Sequence, residues 1–160
     1  MDVTLRFTPV HTQDQLAQIE RLAREIWYEY YVSLVGRAQV DYMVDRFQSV
    51  SAIQGQLSEG YEYFLIERLA DASCLGYLAI LPELSSKALF LSKLYVLATV
   101  RGTGVGRLAL TFVDDLARTR SAAGLADGPQ AKPLAIRLRT SGICDGRIHR
   151  HRYRRWIRHG

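Results

Sequence analysis

A glycine-rich turn, Arg101-Gly102-Thr103-Gly104-Val105-Gly106-Arg107, carries the clearest chemical signal in this chain. It follows an apolar run at residues 89–96 and precedes an amphipathic segment, so a strand, a turn and a helix are predicted in that order. Glycines allow positive φ and let the backbone approach a ligand closely. Successive N–H groups at the start of a helix can then face one anion, which the helix dipole also favours. The pattern predicts a phosphate-binding loop.

The spacing of the turn distinguishes between kinds of phosphate-binding loop. A dinucleotide-binding fingerprint needs a glycine where Arg107 stands, and a Walker loop must end in Gly-Lys-Ser/Thr, so the chain matches neither. Arg101, Gly104 and Gly106 instead fill the pattern Arg/Gln-x-x-Gly-x-Gly/Ala. Together with the preceding Lys-Leu-Tyr-Val, the turn resembles the acyl-CoA loop of the GCN5-related N-acetyltransferase (GNAT) family, and the resemblance covers about residues 3–123.

This resemblance implies a cofactor site. Acetyl-CoA would be the co-substrate, no metal would be needed, and acetyl would pass directly to a small-molecule or peptide amine. Backbone groups of Leu94, Tyr95 and Val96 would hold the pantetheine arm and the thioester carbonyl. Arg101 and Arg107 would add positive charge. The pyrophosphate would be bound by the amides of Gly102, Thr103, Gly104, Val105, Gly106 and Arg107.

The acceptor side is less well specified. Trp27, Tyr30 and Tyr31 form an aromatic stripe that is either plain core or, by the resemblance, part of the acceptor groove. An amine nucleophile must lose a proton near neutral pH, but the sequence does not identify the base. The candidate carboxylates, each of which could equally be a surface charge, are Glu25, Glu29, Glu67 and Glu83. In the family the leaving thiolate usually receives its proton from a tyrosine, and no residue of this chain occupies that place.

The elements that must position these residues follow from hydrophobic periodicity. Strands are predicted at residues 3–7, 61–68, 74–81 and 89–96, with the third closed by Pro82. Helices are predicted at residues 11–31 and 40–47 and after the glycine turn, where the apolar stripe runs from Val105 to Leu116. This order matches the first part of the GNAT fold, an α/β (α+β) architecture with a mixed central sheet and helices on both faces.

Composition is that of a small globular protein. A chain of 160 residues with 48% hydrophobic content can form one domain with a real core. The first residues lack a basic, apolar leader, and no apolar run approaches a membrane span, so a cytoplasmic location without a membrane partner is expected. Cys74 and Cys144 are too few for a disulfide framework and are expected to be buried thiols. A homodimer is left open.

The charge distribution sets the C-terminal segment apart. Residues 137–160 hold 8 Arg against one acid, whereas residues 1–136 hold 13 Lys and Arg against 15 acids. We therefore divide the chain into an N-acetyltransferase domain at residues 1–140 and a basic tail at residues 141–160 outside the fold. An Arg-rich arm could bind nucleic acid, although we consider a nucleic-acid partner the weaker interpretation. A metal site is disfavoured, because no common ligand spacing matches Cys144, His149, His151 and His159.

A displaced reading frame explains more of this tail. Back-translated and read one nucleotide later, the segment after about residue 123 gives a strand-like WLTV and a helix ending in Tyr-Glu-Arg-x-Gly-Phe. Both resemble the missing C-terminal half of the family, including the tyrosine that would protonate the thiolate. We therefore hypothesise a +1 frame error near residues 121–125, which leaves the last strands and a further helix missing or disordered. Sequencing the DNA across this segment tests the idea. A catalytically impaired acetyl-CoA-binding relative is the alternative that follows from it.

Overall fold

A mixed sheet forms the centre of the molecule. The computed structural model describes residues 3–83, 88–120, 135–138 and 143–144. The strands within these ranges are β1 (Leu5–Pro9), β2 (Glu62–Arg68), β3 (Cys74–Glu83), β4 (Ala88–Val96), β5 (Ala135–Leu138) and β6 (Ile143–Cys144). Strands β1 to β4 pair antiparallel in chain order, while β5 and β6 both pair parallel with β4. The predicted mixed sheet is confirmed.

Helices cover both faces of the sheet, as predicted. They are α1 (Gln13–Val35), α2 (Arg37–Phe47), α3 (Val50–Ser58) and α4 (Val105–Arg120). Helix α1 begins with a capping box in which Thr12 and Gln15 satisfy each other's backbone amides. Helices α1 to α3 pack on one face, where the core includes Ile26, Tyr77 and Tyr95. Helix α4 packs on the other face, against Leu91, Leu94 and Val96 among others.

The structure departs from the predicted elements at three points. Helix α3 was not predicted, because its nine residues contribute only one fully buried side chain, Ile53, which is too little to set a helical period. Helix α1 continues past the predicted end to Val35, where Gly36 at φ 84° separates it from α2. Strand β3 does not stop at Pro82, which pairs opposite Leu89.

A β-bulge interrupts β4 at Ser92. Ala79 lies opposite Lys93 and Ile80 lies opposite Leu91, so Ser92 has no partner in the register with β3. An extra residue of this kind bends the strand and re-aims side chains, and bulges are frequent beside active sites. The bulge therefore marks the part of β4 that leads into the glycine turn.

Several expectations lie outside the described residues. They concern the displaced frame at residues 121–125, the histidines of the tail and the Arg-rich arm beyond residue 144. Ile143 and Cys144 belong to the segment set apart as a tail, and their backbone pairs with β4. Cys74 is a free, partly buried thiol whose pKa is raised by burial. Of the helices in the described ranges, none has both the length and the apolar content needed to cross a bilayer.

Candidate active site

The glycine turn forms an open loop at the start of α4. A single 3-10 turn, Ala98–Val100, follows β4 and leads into it. Gly102 has φ +79° and Gly104 has φ +95°, and no atom lies within 4 Å of the position that a Cβ would take at either residue. Gly106 differs from the expectation of positive φ, because it is the second residue of α4 and is buried. Two of the three glycines thus shape the loop, and the third lets the helix start against the core.

Most backbone amides of this loop are unpaired. The Thr103 amide donates to the Val100 carbonyl at 3.3 Å, and the Leu108 amide donates to the Gly104 carbonyl at 3.0 Å. Within the described residues no hydrogen bond is found from the amides of Gly102, Gly104, Val105, Gly106 or Arg107. Unsatisfied donors at a helix start, together with the positive end of the dipole, form an anion site.

The Arg101 side chain contacts helix α1. Its Nη2 lies 3.1 Å from Glu29 Oε2 on α1, and its guanidinium carbon lies 5.7 Å from the centre of the Tyr30 ring. Arg101 Nε and Nη2 are both buried and neither makes a hydrogen bond with the described residues, so the contact with Glu29 is an ion pair whose geometry is not that of a hydrogen bond. The predicted cation at this position is therefore held against α1, whereas Arg107 is exposed on the first turn of α4.

The end of β4 next to the loop is buried and paired. Leu94, Tyr95 and Val96 are each at most 1% exposed. Leu94 pairs with Ile143 and Tyr95 pairs with Cys144 in the parallel register with β6. A ligand that paired with β4 at Leu94 and Tyr95 would therefore have to take the place of β6.

A cavity of about 580 Å³ lies between β4 and helices α1 to α3, on the face of the sheet opposite α4. Its lining includes Trp27, Phe47, Gln48, Gln56, Ser92 and Lys93. Trp27 thus lies where the aromatic stripe was expected to line a groove, and its buried Nε1 has no hydrogen-bond partner among the described residues. Tyr30 and Tyr31 do not line this cavity; their rings contact each other with centroids 4.8 Å apart.

The four carboxylates considered as bases do not line the cavity. Glu29 pairs with Arg101, and Glu25 is exposed on α1. Glu67 accepts hydrogen bonds from Arg6 at 2.9 Å and Thr8 at 2.5 Å. Burial would raise the pKa of Glu67, but these hydrogen bonds and the Arg6 charge outweigh it and lower the pKa. Glu83 is the last residue of β3 and also does not line the cavity. The structure therefore does not support any of the four carboxylates as the base.

Sequence reasoning missed Lys93, which is 8% exposed and lines the cavity. Its Nζ lies 2.6 Å from Tyr63 Oη, 2.9 Å from the Phe47 carbonyl oxygen, 3.0 Å from Gln56 Oε1 and 3.4 Å from Gln48 Oε1. Burial lowers the pKa of Lys93 to about 7. Burial, with a smaller contribution from Tyr61, raises the pKa of Tyr63. The available signal was one lysine inside a strand whose other residues, apart from Ser92, are apolar, because lysine is rarely buried.

Comparison with solved structures shows one recurrent fold. The PaiA N-acetyltransferase of Thermoplasma acidophilum, solved with coenzyme A, has a TM-score of 0.57 at 15% identity, over 72% of this chain and 72% of that one. A proposed acetyl transferase of Pyrococcus furiosus has a TM-score of 0.56 at 20% identity, over 93% and 91%. A transcriptional regulator of Bacillus halodurans C-125 has a TM-score of 0.55 at 16% identity, over 98% and 91%. At these identities the likeness establishes the fold alone.

Sequence comparison identifies the family. No significant match was found among curated proteins. The model of the acetyltransferase (GNAT) family matches residues 17–135, a range that runs from α1 through the glycine turn to the first residue of β5. Because that range covers most of the chain, and the strand, loop and helix described above lie inside it, this protein belongs to the acetyltransferase (GNAT) family.

Proposed function

We propose that this protein transfers an acetyl group from acetyl-CoA to an amine by direct attack in a ternary complex. The observation that carries the proposal is the set of unpaired amides between Gly102 and Arg107 at the start of α4. A diphosphate needs several convergent donors, and this loop offers them without a Cβ in the way at Gly102 or Gly104. Family membership supplies the reaction class.

The residues have separate roles in this proposal. The loop amides and the exposed Arg107 bind the diphosphate of coenzyme A. The backbone of Leu94, Tyr95 and Val96 orients the pantetheine arm after β6 leaves this edge of β4. An amide directed at the thioester oxygen stabilises the oxyanion that forms on attack, an effect worth about 3 kcal/mol where such donors have been removed from enzymes. Acetyl-CoA itself supplies the activated acyl group.

The acceptor enters on the face of β4 that α1 to α3 cover. The cavity under α1 to α3 is lined by Trp27 and by the amides of Gln48 and Gln56, which suits a small molecule or a peptide end with one apolar part and one polar part. Holding the amine next to the thioester makes positioning a large part of the rate enhancement.

Release of free thiol from acetyl-CoA, measured across a panel of amines, tests the proposal. Calorimetric titration with coenzyme A should run in parallel, because it reports on the loop without requiring an acceptor. We expect saturable binding and amine-dependent thiol release. Binding without release for any amine would favour the alternative of a catalytically impaired acetyl-CoA-binding relative. Absence of binding would refute the assignment of the loop.

A further inference from the structure

We infer that Lys93 is the group that takes the proton from the acceptor nitrogen when that nitrogen attacks the thioester, an inference that rests on the proposed function. Lys93 lies in the wall of the acceptor cavity. It also directly precedes Leu94, where the proposal places the pantetheine arm. Of the cavity-lining residues, it is the one that offers a nitrogen base and a backbone next to the cofactor edge.

The surroundings of Nζ suit an amine that alternates between neutral and charged. Its four hydrogen-bonding neighbours are oxygens of the Phe47 carbonyl, Gln48, Gln56 and Tyr63, and none carries a formal charge. The Tyr63 hydroxyl donates to Gln56 Oε1 at 2.5 Å, so its proton does not compete for the lone pair of Nζ. A neutral amine can donate two hydrogens to this cluster and keep its lone pair. The ammonium can donate a third hydrogen to Gln48 or Gln56.

None of the ion pairs between described residues includes Lys93, although its Nζ lies 5.2 Å from the centre of the Tyr63 ring, a contact that favours the ammonium. Among the described residues lining the cavity, Arg46, Glu59 and Tyr61 are the other groups that can titrate or carry charge. Arg46 of α2 lies over the rings of Tyr42 and Phe47, and Glu59 is exposed just after α3. On β3 the Tyr77 hydroxyl donates to Gln48 Oε1 at 2.8 Å, which holds that amide in place. Burial therefore dominates, and it brings the pKa of Lys93 to about 7.

The step balances without another reagent. The lone pair of the acceptor nitrogen forms a bond to the thioester carbon while the neutral Nζ takes a proton from that nitrogen. The carbonyl then re-forms, the C–S bond breaks, and its electron pair leaves with the sulfur of coenzyme A. The thiolate takes a proton from solvent, and the Lys93 ammonium returns one to solvent. A base whose pKa lies near the working pH is the most effective for such a transfer.

Two variants of the same residue test the inference. Lys93→Met removes the amine while keeping an apolar side chain of similar length, and Lys93→Arg keeps a charge that cannot be lost. The ratio of kcat/KM for wild type to kcat/KM for Lys93→Met, measured with the same acceptor, should rise through about pH 7. The titration of the acceptor affects both proteins equally and cancels in this ratio. Both variants should lose roughly 100-fold in kcat or more at pH 8, with affinity for coenzyme A changed less than about twofold.

Glu59→Gln tests the competing base, because Glu59 is the carboxylate in the cavity lining. We expect this variant to retain the rise near pH 7. Loss of the rise in Glu59→Gln, or its persistence in Lys93→Met, would overturn the role of Lys93. An Nζ resonance that titrates at the ordinary lysine value, or an acetyl group found on Lys93 after turnover, would also overturn it. No turnover by wild type with any amine would overturn the proposed function as well, whereas undiminished turnover by Lys93→Met would overturn the base alone.

Discussion

Arg101 Nη2 lies 3.1 Å from Glu29 Oε2, so the residue that begins the glycine turn is tied to helix α1. The Arg101 side chain is 19% exposed and that of Glu29 is 49% exposed, which makes this a half-buried pair. Because α1 covers the acceptor cavity and the turn begins the anion site, one ion pair connects the two halves of the proposed active site. We expect this pair to position the loop, since the guanidinium contacts Glu29 and the Tyr30 ring of α1.

Removing either partner of this pair should have the same small effect. We expect Arg101→Met and Glu29→Gln each to lower the free energy of unfolding by up to about 1 kcal/mol, and the double variant to be no worse than either one. Urea unfolding of the four proteins measures this cycle. Strictly additive losses would show that the two side chains do not act together. The salt dependence of coenzyme A binding should fall in Arg107→Gln but not in Arg101→Met.

Gly104→Ala should weaken coenzyme A binding. Its φ of +95° disfavours an alanine, so the loop either stores strain of about 1–2 kcal/mol or rearranges and loses the direction of its amides. Gly36→Ala is the matched control, because Gly36 also has positive φ, at +84°, with open space around it, but joins α1 to α2 away from the loop. We expect similar destabilisation in both variants and weaker binding in Gly104→Ala alone. Equal binding in both would contradict the loop assignment.

Gly76→Ala should disrupt the sheet beside the site. A Cβ at Gly76 would lie 2.2 Å from the Tyr95 carbonyl oxygen and 2.9 Å from Val96 Cα, and both are backbone atoms that cannot turn aside. We expect a loss of several kcal/mol or failure to fold, as in other cases of core overpacking. Gly55→Ala in α3 is the control, since nothing lies within 4 Å there and alanine should stabilise the helix by about 0.5–1 kcal/mol. Thermal unfolding of both variants checks the opposite signs.

Lys93 should make the stability of the protein depend on pH. Its pKa falls from the ordinary 10.5 to about 7 on folding, so between these values the unfolded chain binds more protons than the folded one. The free energy of unfolding should therefore rise as pH increases from 7 towards 10.5, by up to about 1.4 kcal/mol per pH unit from this group. Below pH 7 Lys93 is charged in both the folded and the unfolded chain, so it adds no pH dependence to the stability. The difference between the urea midpoints of wild type and Lys93→Met, measured between pH 6 and pH 9.5, isolates the effect of this group. A difference that does not change with pH would contradict the burial of Lys93.

Weakening β6 should improve binding of coenzyme A. Ile143→Pro removes a backbone donor from the strand that pairs with Leu94, so the edge of β4 opens more readily. We expect a several-fold gain in affinity, since less pairing must be broken before a ligand binds. Ile143→Val keeps the backbone amide and serves as the control. Weaker binding in Ile143→Pro would show that β6 supports the site and does not compete with the cofactor.

Sequence patterns were sufficient for the elements with long apolar periods. The strands of residues 61–68 and 89–96 and the helix that follows the glycine turn all appear close to their predicted bounds. Helix α3 was missed because Ile53 is its one fully buried side chain, and Gly55 interrupts what pattern there is. Tertiary contacts stabilise that helix, together with a cap from Ser49 to the Ala52 amide. Such contacts are not visible in a nine-residue window.

The two halves of the site differ in how far sequence could predict them. Gly102 and Gly104 could be recognised because a loop with free amides needs residues that tolerate positive φ, and that need is local. The neighbours of Lys93 come from α2, α3 and β2, so the burial that lowers its pKa exists only after these elements have packed together. The same holds for Arg101, whose type indicated a phosphate contact while its partner, Glu29, lies 72 positions earlier in the sequence.

The single unpaired residue Ser92 reverses the alternation of side chains along β4. Leu89 and Leu91 face α4, and strict alternation would send position 93 to that same side, yet Lys93 points into the cavity and Leu94 and Val96 face α4 instead. Deleting Ser92 would remove the bulge and leave regular alternation, so Leu91 and Leu94 would still face α4 and Lys93 would still face the cavity. If Ser92 instead paired in register with β3, without the bulge, Lys93 would lie among the aliphatic side chains under α4, so it is the bulge that lets the strand hold the extra serine and still present an ionisable group to the cavity.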